Sequence, residues 1–229
     1  MNYILLFLIA FKLPLGEKAI MDVYFGPIKA GVLKLEVNPR IFKVQGIDCY
    51  HVKVILKSKG AFSLFFKVDD EINSFIDTAG FYTIKYTKKL HEGDYKFSST
   101  MMYSPEDSLA RYPDTTIKTP PFHDPLSLIY IARSSVGKDT SRYIYHVDKK
   151  TTIALIIPAG YETIKGRKAE KFIIRFEKGG LFKNGGDFNL WVAVDSAFHE
   201  PLKVHSKLKF GSITAFLKRY TPGLFSSKP

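Results

Sequence analysis

Between Leu190 and Leu217 the chain shows a repeat of two in its side chains. Leu190, Val192 and Val194 alternate with Trp191, Ala193 and Asp195. After a turn at Ser196–Pro201, Leu202, Val204, Leu208 and Phe210 alternate with Lys203, His205, Lys207 and Lys209, and Gly211–Ser212 turns the chain into Ile213–Leu217. A repeat of two sends neighbouring side chains to opposite faces of a sheet. The pattern therefore predicts antiparallel β-structure with one oily face and one cationic face.

The rest of the chain repeats the theme. Met21–Gly26, Ile28–Val37, Ile47–Lys57, Ala61–Val68, Ile72–Ile76, Phe81–Lys89 and Tyr95–Tyr103 read as strands separated by turn residues. Ser104–Pro121 carries four prolines and reads as a long connection over a sheet edge or cavity mouth. Asp124–Arg133 is the one clear helix: Asp124 caps it, Pro125 suits its first turn, and Leu126, Ile129 and Ile131 give it apolar surface. Ile144–Val147, Thr151–Ile157, Tyr161–Arg167 and Ala169–Glu177 resume the strands, and glycine pairs at 179–180 and 185–186 bracket a hairpin tip. The abundance of Phe (19) and Tyr (13) fits strands. No linker divides the chain. The expected fold is mainly β: an antiparallel meander forming a curved, partly open β-barrel, a half-barrel, with one short α-helix.

Tyr3–Phe11 is an unbroken apolar run of nine residues. A bilayer-spanning helix takes about 20, so the run has the length of a signal-peptide core. The fit is imperfect, because the first lysine, Lys12, follows the run and Glu17 sits where a small residue suits cleavage at Ala19. The expected organisation is a signal peptide over 1–19, one half-barrel domain over 20–222, and a flexible tail over 223–229. The expected address is the periplasm or cell envelope.

The formal net charge is +12. Such a balance draws a protein to polyanions or simply solubilises it and guards exposed strands. Export makes nucleic acid an unsuitable partner and leaves anionic lipid, glycolipid and envelope polysaccharide, with peripheral membrane contact. The single cysteine, Cys49, cannot form an internal disulfide and reads as a small packed residue.

Four segments, in order, carry a family resemblance: YFGPIKAG (Tyr24–Gly31), FKVDDEINSFID (Phe66–Asp77), HDPLSLIYIAR (His123–Arg133) and the LWVAVD…EPLKVHSKLKFGSITAFL ending (Leu190–Leu217). Together they resemble the bacterial exported family known as domain of unknown function 3108. The resemblance marks Tyr24, Gly31, Asp77, Asp124, Ser127, Trp191, Asp195, Pro201 and Gly211 as motif residues with structural roles. It implies a partly open barrel like that of capsule-associated envelope lipoproteins, and no chemistry.

Catalytic signatures are weak. The six histidines lack the helical pairing of zinc peptidases, and Pro201 follows His199–Glu200 too closely for a helix. Asp124 and Ser127 share a helix face, which a helix cap explains. Asp69–Asp70–Glu71 and Glu106–Asp107 read as solvated turn acids. No catalytic residue, metal site or cofactor is expected. The cationic strand faces remain: Lys203, His205, Lys207 and Lys209, about 7 Å apart in succession, with Lys53 and Lys57 joining them if their strands are neighbours. These six form the expected ligand site. An open concave face opposite would shelter an acyl chain; a closed one would be core. The expected function is non-catalytic binding of an anionic amphiphile or assistance in envelope assembly. The alternatives are an envelope enzyme acting on a polysaccharide and a structural part of an outer-membrane complex.

Overall fold

The computed structural model describes residues 12–177, 187–208 and 211–225. The apolar run Tyr3–Phe11, the glycine-bracketed tip, Lys209, Phe210 and the last four residues lie outside them. Strands β1 (Pro14–Leu15), β2 (Lys18–Phe25), β3 (Ile28–Val37), β4 (Phe42–Val44) and β5 (Ile47–Ser58) precede a single-turn helix, α1 (Phe62–Phe65). Then come β6 (Asp69–Asp77), β7 (Thr83–Glu92), β8 (Tyr95–Ser104), β9 (Leu109–Arg111) and β10 (Thr116–Lys118). After helix α2 (Pro125–Arg133) the chain forms β11 (Ser141–Val147), β12 (Lys150–Ile164), β13 (Arg167–Phe176), β14 (Phe188–Ala193), β15 (Pro201–Lys207), β16 (Ser212–Thr221) and β17 (Leu224–Phe225).

The architecture is one large antiparallel sheet in the order β10-β9-β8-β7-β6-β5-β3-β2-β16-β15-β14-β13-β12-β11, with β4 appended to β5 and a separate β1–β17 ladder. From β2 the chain meanders outward to β10. It then crosses through α2 to the far edge and meanders back to β16, which pairs with β2. The two edges, β10 and β11, are not paired with each other. The segment entering α2 straps the gap instead: the Thr83 amide donates to Phe122 O (2.9 Å), and the His123 amide donates to Ile144 O (2.8 Å). The barrel is thus partly open, as the family resemblance implies.

Helix α2 begins where its sequence says it should. Asp124 Oδ1 accepts from the amides of Leu126 (2.7 Å) and Ser127 (3.1 Å), and Ser127 Oγ accepts from the Asp124 amide (2.9 Å), a reciprocal capping box. The helix touches β6 on one wall and β14 on the other. Leu126, Leu128, Tyr130, Ile131 and Ala132 join one core with Val37, Val52, Ile76, Phe172, Ile174 and Leu190. Each large apolar side chain removed from water there contributes about 1.5–3 kcal/mol. The void left between Pro125, Leu128, Ile174 and Phe188 is about 10 Å³, room for at most one water. Of the two readings left open for the concave face, the described residues fit a closed core rather than an acyl-chain shelter.

Three local expectations are corrected. Ala61–Val68 is not a strand: β5 pairs directly with β6 through Lys57 and Asp69, and the intervening residues are extruded as α1. Their run of apolar side chains lacks the alternation that seats a strand on a core. Ser104–Pro121 is not all connection, since it folds into the β9–β10 hairpin. The turn after β12 falls at Lys165–Gly166, both at positive φ, and not before Tyr161. The domain boundaries expected at 19/20 and 222/223 fall inside β2 and just before β17.

Candidate ligand-binding face

Lys203, His205 and Lys207 share the outer face of β15. Register carries this face sideways: Lys171 of β13 lies beside Trp191 of β14, Trp191 beside Lys203, and Lys203 beside Phe216 of β16. Lys203 Nζ stands 4.0 Å from the Trp191 ring centroid and 5.8 Å from that of Phe216; Lys171 Nζ is 5.1 Å from Trp191. Lys165 lies over Phe216 at 5.1 Å, and Tyr24 meets Phe216 edge-on at 6.1 Å. Each ammonium–ring contact is worth about 0.5–1 kcal/mol at an exposed site. Lys165, Lys203 and Lys207 have no carboxylate partner among the described residues, whereas Lys171 has Glu162 at 3.7 Å. Burial and then the charges of Lys203, Lys207 and Lys171 push the His205 imidazole below its ordinary range. At neutral pH it is an uncharged hydrogen-bonding group, held by Thr214 Oγ1 at 2.9 Å.

Trp191 is only 4% exposed and its indole N–H has no acceptor among the described residues. It packs in a small outer cluster with Ile164, Ala169, Ala193 and Leu202. The face is therefore a buried aromatic floor carrying unneutralised ammonium groups, an arrangement suited to an anion with some apolar surface.

Lys53 and Lys57 do not belong to it. Strands β3, β2 and β16 lie between β5 and β15, a separation of about 19 Å at the usual strand spacing. Both lysines are neutralised across the β5–β6 ladder, Lys53 by Glu71 at 2.8 Å and Lys57 by Asp69 at 3.0 Å. Lys53 lines a separate cleft of about 200 Å³ with Lys18, Glu36, Asn38, Pro39 and His51. Lys209 lies outside the described residues. Lys165, Lys171 and Phe216 were not in the expected site, because their presence depends on which strands pair.

Six of the motif residues make the following local contacts. Tyr24 packs against Phe216. A Cβ on Gly31 would sit 2.2 Å from Lys57 O, so only glycine allows β3 this close to β5. Asp77 Oδ2 accepts from the Gly80 amide at 2.6 Å and turns the chain into β7. Asp195 pairs with Arg167 at 2.5 Å. Pro201 opens β15 at a bulge opposite Val192. Gly211 has φ +83° under the ring of Phe25.

Asp124 and Ser127 are both fully buried. Besides its two cap amides, Asp124 accepts from the hydroxyls of Ser74 and of Thr83 (2.7 Å). Burial pushes its carboxyl above the usual range despite these bonds. With its acceptors filled, it ties β6 and β7 to α2 and has no free lone pair to offer a substrate. No group of three metal-ligating side chains occurs among the described residues.

One polar centre had no local signal. Glu17 is fully buried and accepts from Tyr130 Oη (2.7 Å), Arg133 Nη1 (2.8 Å), Arg133 Nη2 (2.5 Å) and Tyr220 Oη. Arg133 also donates to the carbonyls of Phe198 (2.8 Å) and His199 (2.9 Å). Burial alone would lower the Arg133 pKa, but the bonds and charge of Glu17 outweigh it and hold the guanidinium protonated.

The fold and face define an open, β-barrel-like protein with a cationic–aromatic outer surface. The family model described as protein of unknown function (DUF3108) matches residues 21–218, and the chain belongs to that family. Among solved structures it is similar to a β-barrel-like protein of domain of unknown function DUF1849 from Brucella abortus. The TM-score is 0.66 at 10% identity, covering 92% of this chain and 99% of that one. A likeness at that identity is one of fold alone. No curated protein matches the sequence.

Proposed function

We propose that this protein is an exported, non-catalytic envelope protein that binds the anionic headgroup of a lipid or glycolipid on the outer face of β13–β16. The observation that carries the reading is Lys203, unpaired and 4.0 Å above the Trp191 ring, among other cations. A phosphate or carboxylate would supply the counter-charge that no side chain among the described residues supplies there. Because α2 fills the barrel, the acyl chains of such a ligand stay in the bilayer, and the protein works as a peripheral, salt-sensitive binder. The apolar run Tyr3–Phe11 supports delivery to the envelope.

Trp191 is the only tryptophan in the chain, so its fluorescence reports directly on the face. Titration of the whole chain with dihexanoyl phosphatidylglycerol, a short-chain monomeric lipid, should change the emission as Lys203 leaves the ring. Added salt should weaken binding. Joint Lys203→Glu and Lys207→Glu replacement should lower affinity about tenfold or more. Unaltered affinity in that variant at low salt would dispose of the reading.

A further inference from the structure

We propose that the α1 end of the barrel is a membrane-docking tip that inserts Leu64 and Phe65 into an anionic bilayer. The turns after β2, β5, β7 and β15 all lie at this end, as the antiparallel register requires. There, α1 buries none of its residues. Leu64 is 84% exposed and Phe65 88%, with Phe66 and, on the β2–β3 turn, Ile28 also exposed. Scattered exposed apolar residues are ordinary, but a contiguous group held outward marks a contact surface.

The tip is held in place, not frayed. The Phe62 ring packs 6.2 Å from Phe25 and 6.5 Å from Phe66. Phe66 rests on Gly93 of the β7–β8 turn, where an added Cβ would come 3.1 Å from the ring. Ser63 Oγ donates to Gly60 O at 2.7 Å, and the Phe66 amide donates to Phe62 O at 2.9 Å. Phe62 and Phe66 serve as the base, and Leu64 and Phe65 as an uncovered summit.

Charge selects the occupant. Lys59 and Lys67 flank the apolar run, both exposed and without a carboxylate partner among the described residues. Lys57 and Lys29 at the same end are neutralised by Asp69 (3.0 Å) and Asp22 (2.9 Å). The facing acids are Asp94 and Glu92, and Glu92 is partly buried with its carboxyl pushed up by burial and then by Asp70. Leu and Phe at the summit with lysines at the shoulders reproduce the division between acyl boundary and anionic headgroups in a bilayer interface. A small convex summit fits a deformable lipid surface, whereas a protein partner would need a matching pocket. The tip uses other residues than the Lys203 face and stands or falls separately.

The whole chain should cosediment with phosphatidylcholine vesicles containing phosphatidylglycerol and much less with phosphatidylcholine alone. Leu64→Ser with Phe65→Ser should weaken that partitioning about 30-fold or more. It should leave the urea-unfolding midpoint unchanged, which shows that the variant is folded. Lys59→Glu with Lys67→Glu should abolish the preference for anionic vesicles. In Phe65→Trp, emission measured against the wild-type Trp191 background should shift to the blue and be quenched by brominated lipid. The proposal is overturned if that tryptophan stays in water while the chain sediments, or if the serine variant binds as well as wild type. It is equally overturned if light scattering shows a dimer that the serine variant dissolves, which would make a second copy the occupant.

Discussion

Arg133, in the last turn of α2, grips Glu17 with both terminal nitrogens across 116 residues of chain, and both side chains are shut away from water. Both Glu17 oxygens are doubly occupied, and Arg133 also holds two carbonyls of the β14–β15 connection. The centre therefore joins the start of β2, α2, β16 and that loop. Removing one member of a buried ion pair strands the other charge. Glu17→Ala and Arg133→Leu should each destabilise the fold by about 3–5 kcal/mol in urea unfolding. Joint Glu17→Leu and Arg133→Met replacement should recover part of the loss, because no uncompensated charge remains. An unchanged midpoint in Glu17→Ala would show that the pair contributes nothing.

The same pair constrains processing. Cleavage at Ala19 would discard Glu17, the buried Leu13 and strand β1, which pairs with β17 through Pro14–Phe225 and Leu15–Leu224. It would leave Arg133 buried and unpaired. N-terminal sequencing of the protein isolated from cells should therefore find a start at or before Leu13. A start at Ile20 on a folded chain would contradict the role given to Glu17.

What could be read beforehand divides by range. Alternation is local, so it located β14–β16 and set Lys203, His205 and Lys207 on one face. The cap at Asp124 is local too, and so was α2. Which strand lies beside which is not local: the crossing through α2 decides that β16 pairs with β2, leaving three strands between Lys53 and Lys203's strand and bringing Lys171 near. Glu17 stood out only as a misfit beside a cleavage point, since its partners lie more than a hundred residues on. Phe62–Phe65 defeated the reading for another reason, since a short apolar run without alternation fits a buried strand and an extruded turn equally well.

The strap that spans the barrel seam makes stability depend on pH. His123 lies in it, and His146 pairs with it from β11. His146 Nε2 meets Tyr112 Oη at 2.8 Å and Nδ1 meets Thr151 Oγ1 at 2.8 Å. Burial pushes both imidazoles from 6.5 down to about 4, against a smaller opposing pull from the Phe81 backbone at His123 and from Asp148 at His146. In the unfolded chain each takes a proton near its ordinary value of about 6.5, while the folded chain refuses it until about pH 4. Between those values the unfolded state binds more protons, so their contribution is complete above the upper value and drains away as pH falls through the window. The shift corresponds to at most roughly 3 kcal/mol for each histidine. The carboxyls of buried Asp70 and Asp124 and of partly buried Glu92, held above the usual range, work in the opposite sense towards the acid end of the window. Urea midpoints should fall steadily from neutral pH towards about pH 5, before ordinary carboxylates titrate. His146→Gln, which keeps a donor and an acceptor but has no proton to gain, should remove about half of that slope. A midpoint that stays level across the window would mean that the two rings are solvated and that the strap is open.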